Sequence, residues 1–130
     1  MVSRRKILIY LTILICFLAL VSLGATKFYW YQSIWWFDMP MHFLGGLFVS
    51  FLLIYLFYST TTKQPIAKSA FLLLLGVLAV GVGWEIFEYI FNNVIGGQIF
   101  NPLDTLSDIF FDMAGAIIGI FICYNKRQNE

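Results

Sequence analysis

Apolar residues fall into four long runs along this chain, and short polar segments separate the runs. The runs predict helices over about 7–28, 40–58, 69–91 and 105–124. A helix crosses a hydrocarbon core of about 30 Å with roughly 20 apolar residues, so each run has close to the length of one membrane span. The pattern therefore predicts an all-α integral membrane four-helix bundle, with residues 1–130 forming a single transmembrane domain.

Composition supports a membrane protein and excludes one class of partner. The chain is 61% hydrophobic and 12% charged, whereas soluble domains are about 45–50% apolar and about 25% charged. Its mean hydropathy is +0.85. The net charge of +1 gives no concentrated basic surface of the kind that binds phosphate backbones, so we expect no nucleic-acid partner. Membrane lipids are the expected surroundings.

Basic residues indicate how the helices are oriented. With four crossings, both termini and the loop between the second and third helices lie on one side of the membrane. That side carries seven of the eight basic residues, namely Arg4, Arg5, Lys6, Lys63, Lys68, Lys126 and Arg127. Only Lys27 falls on the other side. The excess of Lys and Arg on the cytoplasmic side of membrane proteins predicts that both termini are cytoplasmic. We expect the first helix to be an uncleaved span, because no small-x-small cleavage pattern follows it.

Acidic residues show the opposite distribution. Six of the seven carboxylates, together with the only histidine, fall at the ends of the helices that lie away from the termini. They are Asp38, His42, Glu85, Glu88, Asp104, Asp108 and Asp112. Because a helix turns by about 100° per residue, the acids of each helix share one face. The sequence thus predicts three polar stripes that lie in or near the outer half of the membrane.

Each polar stripe continues into glycine, at Gly45, Gly81 and Gly115. Gly115 and Gly119 also have the spacing associated with close packing of membrane helices. We therefore expect the stripes to face the interior of the bundle. The glycine-rich faces leave a second interpretation open, in which they join copies of the chain in an oligomer.

Carboxylates inside a membrane need compensation. One ionised carboxylate near the bilayer centre costs at least about 2.5–3.5 kcal/mol on insertion scales. The outer half of the predicted bundle, where these acids lie, has no arginine. Either several acids are protonated with coupled titrations, or a divalent cation such as Mg²⁺, Mn²⁺, Ca²⁺ or Zn²⁺ is bound. The candidate ligands are Asp38, His42, Glu85, Glu88, Asp108 and Asp112, and the candidate catalytic residues among them are His42, Glu85 and Asp108. We expect no other cofactor.

Two of the acids also have a simpler interpretation. Asp38 and Asp104 lie where the second and fourth helices are expected to begin. Aspartate is a preferred helix N-cap because its side chain accepts a free backbone N–H of the first turn. For these two residues, capping and site chemistry are equally plausible from the sequence.

Three short motifs carry a family resemblance: Asp38-Met-Pro-Met-His42, Gly83-Trp-Glu85-Ile-Phe-Glu88, and the segment from Asp104 to Gly119. In this order they resemble the VanZ-like group of small bacterial membrane proteins and the related YjdF-like proteins. The resemblance implies a bacterial envelope protein in the plasma membrane, linked in the VanZ case to resistance to glycopeptide antibiotics such as teicoplanin.

The chain departs from the VanZ-like pattern at several positions. Met39 replaces a lysine, Glu88 replaces a glutamine and Asp112 replaces an asparagine. These substitutions make the predicted site more acidic and more YjdF-like. They weaken any transfer of a VanZ-specific activity to this chain.

Three classes of function remain open on this evidence. The first is a divalent-cation-dependent enzyme that acts on lipid-linked or phosphate-bearing envelope substrates, with His42 or Glu85 as base. The second is a proton- or ion-coupled carrier, although the cytoplasmic half of the last three helices offers few polar residues beyond Ser50 and Ser69. The third is a non-catalytic protein that binds a lipid, an ion or a glycopeptide antibiotic.

Overall fold

The computed structural model describes residues 1–125, and every regular element in that range is helical. The elements are α1 (Arg4–Lys27), α2 (Trp30–Ser33), α3 (Asp38–Leu56), α4 (Tyr58–Lys63), α5 (Ile66–Glu88), a π-helical segment (Tyr89–Ile95) and α6 (Pro102–Asn125). The spans Arg4–Lys27, Asp38–Leu56, Ile66–Ile95 and Pro102–Asn125 are long and apolar enough to cross a membrane. The predicted all-α fold with four spans is confirmed. Lys126 and Arg127, which contribute to the predicted orientation, lie outside the described residues.

Helix boundaries differ from the predicted ones by two to four residues at most ends. α3 and α5 begin earlier than predicted, at Asp38 and Ile66, because polar residues are tolerated in a first turn. The predicted second helix also ends early, since the chain bends at Phe57 before α4 begins. The third span continues beyond the predicted residue 91 as the π-helical segment.

The capping interpretation of Asp38 and Asp104 is wrong. Phe37 is the N-cap residue of α3, and no side chain caps that helix, so Asp38 lies within the first turn. On α6 the side-chain oxygen Oδ1 of Asn101 accepts the backbone N–H of Leu103 at 3.2 Å. Asn followed by Pro at the first helical position is a favourable start, so Asn101 performs the role that the sequence offered to Asp104.

Glycines allow α3 and α6 to pack with their backbones in contact, and this pair forms the most extensive helix interface. A Cβ atom added to Gly46 would overlap the carbonyl oxygen of Asp112, and one added to Gly115 would overlap that of Phe43. Gly119 packs in the same way against the hydroxyl of Ser50. Small residues permit this approach in lipid, where close packing drives helix association. α1 and α5 each pack against α3 but scarcely touch one another.

Apolar side chains fill the end of the bundle that holds the N-terminus, which we call the termini end. Its buried residues include Ile7, Phe51, Ile54, Leu73 and Ile120. The backbone N–H of Val2 donates to the carbonyl of Cys123 at 2.9 Å, which ties the start of the chain to the last helix. The opposite end, which we call the far end, contains the polar stripes.

We predict that Gly46→Ala destabilises the bundle, whereas Gly83→Ala does not. An added methyl at Gly46 meets the α6 backbone, and overpacking of this kind costs about 1–3 kcal/mol. At Gly83 no heavy atom lies within 4 Å of the added methyl. Thermal unfolding of both variants in detergent measures the difference. Equal melting temperatures for the two variants would show that α3 and α6 do not approach as described.

Candidate cation site

Four side chains from three helices converge at the far end. They are His42 on α3, Glu85 and Glu88 on α5, and Asp108 on α6, and each offers one potential ligand atom within 4.8 Å of the others. We call these four residues the ligand group. His42 and Asp108 are buried, and the two glutamates are half-buried. The helical spacing brought them together as the sequence predicted, although their chemical roles stay predictions.

The two nitrogens of the His42 ring face different carboxylates. Nδ1 lies 3.3 Å from Oδ1 of Asp112. Nε2 lies 3.7 Å from Oδ2 of Asp38 and 3.8 Å from Oδ2 of Asp108. Metal-binding histidines commonly donate one ring N–H to a carboxylate and ligate through the other nitrogen. Asp112 is in position to hold His42 in that state, with Nε2 directed toward the ligand group.

Glycines provide the room that Asp112 occupies. A Cβ atom at Gly81 of α5 would lie 2.8 Å from Oδ2 of Asp112. A Cβ atom at Gly45 of α3 would lie 3.8 Å from Oδ1 of the same carboxylate. A larger side chain at Gly81 would therefore displace the carboxylate that contacts His42, whereas a Cβ atom at Gly45 would only touch it.

One oxygen of the ligand group has no partner. Oε1 of Glu85 is buried and accepts no hydrogen bond from residues 1–125. Asp108 is only 3% exposed, and its distance to His42 is longer than a hydrogen bond. Throughout the described range, no Lys or Arg forms an ion pair with these carboxylates. Buried polar atoms without partners are rare in native proteins, and a divalent cation would supply the missing interactions.

The remaining predicted residues surround the ligand group rather than joining it. Asp38 and Asp112 contact His42 but do not belong to the set of mutually close ligand atoms. Asp104, one turn before Asp108, is exposed. All three candidate catalytic residues, His42, Glu85 and Asp108, lie within the ligand group.

Two cavities meet at this site. The larger, of about 500 Å³, lies between α1, α3 and α5, and we call it the lateral groove. It is apolar along most of its length, and its polar end is formed by Asp38, His42, Glu88 and Asp112. The smaller, of about 90 Å³, is polar and is lined by residues including Glu85, Glu88, Asn92, Asn93 and Asp104. Glu88 lines both cavities, so the ligand group is reached from two directions.

Sequence reasoning missed the contribution of the first helix and the aromatic segment after it. Ser22 of α1 and Tyr31 of α2 line the lateral groove beside Asp38 and His42. Trp84 of α5 lines it too. α1 is apolar nearly throughout, so no periodic signal distinguishes its groove-facing side.

The π-helical segment Tyr89–Ile95 was also missed, because the polar residues Asn92 and Asn93 indicated an end of the helix at residue 91. It carries Asn92 and Asn93 along the smaller cavity. The backbone N–H of Gly96 donates to the carbonyl of Phe91 at 3.0 Å as the segment ends. π-Helical turns occur frequently at functional sites, and this one widens the helix where it meets the ligand group.

Comparison with known protein families gave one match. A family model described as "Predicted membrane protein (DUF2238)" matches residues 3–129. The chain belongs to the DUF2238 family. No curated protein and no solved structure matches the chain significantly. Membership of a small membrane protein family agrees with the four spans, and the DUF2238 description assigns no reaction to the ligand group.

We predict that, with Zn²⁺ or Mg²⁺ bound, His42 of this DUF2238 protein carries a proton on Nδ1 and none on Nε2. The reason is that Asp112 accepts from Nδ1 while Nε2 faces the ligand group. Because the chain has one histidine, ¹⁵N NMR of histidine-labelled protein reads this state directly.

The matched variants for this measurement are Asp112→Ala and Asp38→Ala. The first should shift the Nδ1 resonance and redistribute the ring proton, because it removes the acceptor. The second should leave Nδ1 unchanged, since Asp38 faces Nε2. A proton on Nε2 in the cation-loaded wild type would contradict the assignment.

Proposed function

We propose that this protein binds a divalent cation in the ligand group and uses it to recognise the headgroup of an envelope lipid. We further propose that it resides in the bacterial plasma membrane with both termini in the cytoplasm. The ligand group would then face outward. The distribution of basic residues supports this orientation.

The observation that carries the proposal is the buried, unpartnered Oε1 of Glu85 within a group of four potential ligands. A carboxylate oxygen in that position loses its hydration and gains no hydrogen bond from residues 1–125, which is unfavourable for the protein alone. A bound cation would stabilise the buried carboxylate of Glu85 and would also reduce repulsion among the neighbouring carboxylates.

The donor set favours a hard cation. Three of the four ligands are carboxylates and one is an imidazole. Carboxylates suit Mg²⁺, Ca²⁺ and Mn²⁺, and imidazole suits Zn²⁺ and other transition metals. A mixed set of this kind fits Mn²⁺ best, with Mg²⁺ and Zn²⁺ as competitors. Asp112 would position His42 without binding the cation itself.

Hydrolysis of a lipid-linked substrate is a second candidate function, and the small polar cavity favours it. Its volume of about 90 Å³ is large enough to hold water. Glu85 and Glu88 line this cavity, so water in it would reach the ligand group. The ligand group would hold the cation, which when bound would supply Lewis acidity for attack by water. A carboxylate of the ligand group would accept the proton of that water.

The packing of the termini end argues against a carrier. Its buried hydroxyls are used locally: Ser50 donates to the carbonyl of Leu47 at 2.7 Å, and Ser69 donates to that of Thr61 at 3.4 Å. The hydroxyl of Tyr124 also donates to the carbonyl of Thr61, at 3.4 Å, and the buried core at this end is otherwise mostly apolar. An ion entering at the far end would meet this packed layer rather than a chain of polar groups.

We predict that Mn²⁺ raises the melting temperature of the purified protein and that Asp108→Asn and Glu85→Gln remove this effect. A ligand that binds only the folded state adds about 2.7 kcal/mol of stability at one hundred times its Kd. Titrations with Mn²⁺, Mg²⁺, Ca²⁺ and Zn²⁺, combined with elemental mass spectrometry of bound metal, measure the effect. Without cation, Asp108→Asn should be at least as stable as wild type, because it removes one repelling charge.

Asp104→Asn is the matched control, since Asp104 lies on the same helix but is exposed and outside the ligand group. It should retain the full stabilisation by Mn²⁺. Equal stabilisation of all variants, or none of the wild type, would refute the cation site.

A further inference from the structure

The lateral groove has a shape that lipid can enter from the side. α1 is anchored near both of its ends, where Ile7, Leu11 and Ala25 are buried. Its central part instead lines the groove with Ile15 and Ala19. Because α1 and α5 scarcely touch and both span the membrane, the gap between them opens toward the hydrocarbon of the bilayer.

The walls of the groove match the chemistry of an acyl chain. Besides the two α1 residues, its apolar lining includes Phe48 and Val49 from α3 and Val80 from α5. The volume of about 500 Å³ is within the range of about 300–1,000 Å³ typical of pockets that enclose small ligands. Gly45 and Gly81 form part of the lining beside Asp112, which lets an occupant approach the polar end closely.

The charge at the polar end selects the headgroup. Five carboxylates surround His42, namely Asp38, Glu85, Glu88, Asp108 and Asp112. A cation bound by the ligand group would leave the carboxylate of Asp38 outside its ligands. Asp38 lies outside the ligand group, is partly exposed and lines the groove, so its carboxylate is free to accept hydrogen bonds from a bound headgroup. A primary ammonium offers three N–H donors to such oxygens.

We propose that the lateral groove holds an acyl chain of a phospholipid whose headgroup carries a primary ammonium, with that ammonium at Asp38. This inference rests on the proposed function, because it takes from that function the position of the headgroup beside the ligand group. It does not require a bound cation. The phosphate of the same lipid would lie nearer the ligand group, where a bound cation can neutralise it. Entry is lateral, from the membrane, while water reaches the site through the small polar cavity.

Native mass spectrometry of the purified full chain tests the headgroup preference. The probes are phosphatidylethanolamine, phosphatidylcholine and phosphatidylglycerol with identical acyl chains, each measured in EDTA and again with Mn²⁺. Phosphatidylethanolamine should bind about tenfold more tightly than phosphatidylglycerol, with phosphatidylcholine between them because its quaternary ammonium lacks N–H donors. Asp38→Asn should abolish the preference for ethanolamine over choline. Equal binding of the three lipids by wild type overturns the proposal.

Ala19→Phe and Ala79→Phe form a matched pair that tests the groove itself. Both alanines are exposed on membrane-spanning helices, but only Ala19 lines the groove. Ala19→Phe should weaken phosphatidylethanolamine binding about tenfold, whereas Ala79→Phe should not change it. Equal affinities for the pair would place the lipid elsewhere and overturn the proposal.

The two cation conditions separate this inference from the proposed function. Ethanolamine-selective binding in EDTA, with no change and no bound metal on addition of Mn²⁺, would support the groove and refute the cation site. If Mn²⁺ binds but lipid binding depends on neither the headgroup nor the groove variant, the result would support the cation site and refute the groove proposal. The comparison of the three lipids on the wild-type protein tests the headgroup preference even where a variant fails to fold.

Discussion

The backbone contact between α3 and α6 determines where the charged residues of this protein meet. Gly46 and Gly115 allow the two helices to approach until neither tolerates a Cβ atom. At that separation Asp112 reaches one side of the His42 ring and Asp108 the other. A membrane offers no hydrophobic force to press helices together, so this fit must come from close packing. Any substitution that separates the helices also dismantles the ligand group.

The grouping of carboxylates at the far end lowers the stability of the fold. Carboxylates from three helices converge on one histidine, and no arginine or lysine within residues 1–125 pairs with them. Neutral residues of similar size at these positions would stabilise the fold. The strongly apolar termini end and the α3–α6 interface offset this cost. The two halves of the bundle thus differ, since one packs apolar side chains and the other holds the buried carboxylates.

The sequence was sufficient to predict the spans and the residues of the ligand group, because hydropathy and helical periodicity both report which face of a helix is buried. It was not sufficient to identify their partners. Gly45 and Gly46 are adjacent and point about 100° apart, and only the packed structure reveals that a Cβ atom at Gly46 would overlap the α6 backbone, whereas one at Gly45 would only touch the Asp112 side chain.

Hydrophobic periodicity also did not predict which side of α1 borders the groove or where the helix geometry changes. A uniformly apolar helix gives no indication of which side borders a cavity. The change from α- to π-helical turns after Glu88 has no periodic signal of its own in the sequence. The start of α6 was misassigned for a related reason, since both Asn101 and Asp104 are good capping residues and only the backbone path selects Asn101.

The closed termini end has an electrical consequence. Moving one elementary charge across the whole membrane changes its energy by about 2.3 kcal/mol per 100 mV. An ion bound at the ligand group, as proposed, would have the apolar layer of Ile54, Leu73 and Ile120 beyond it. It would therefore cross only part of the field. Its binding would depend mainly on the composition of the solution at the far end and only weakly on the transmembrane voltage.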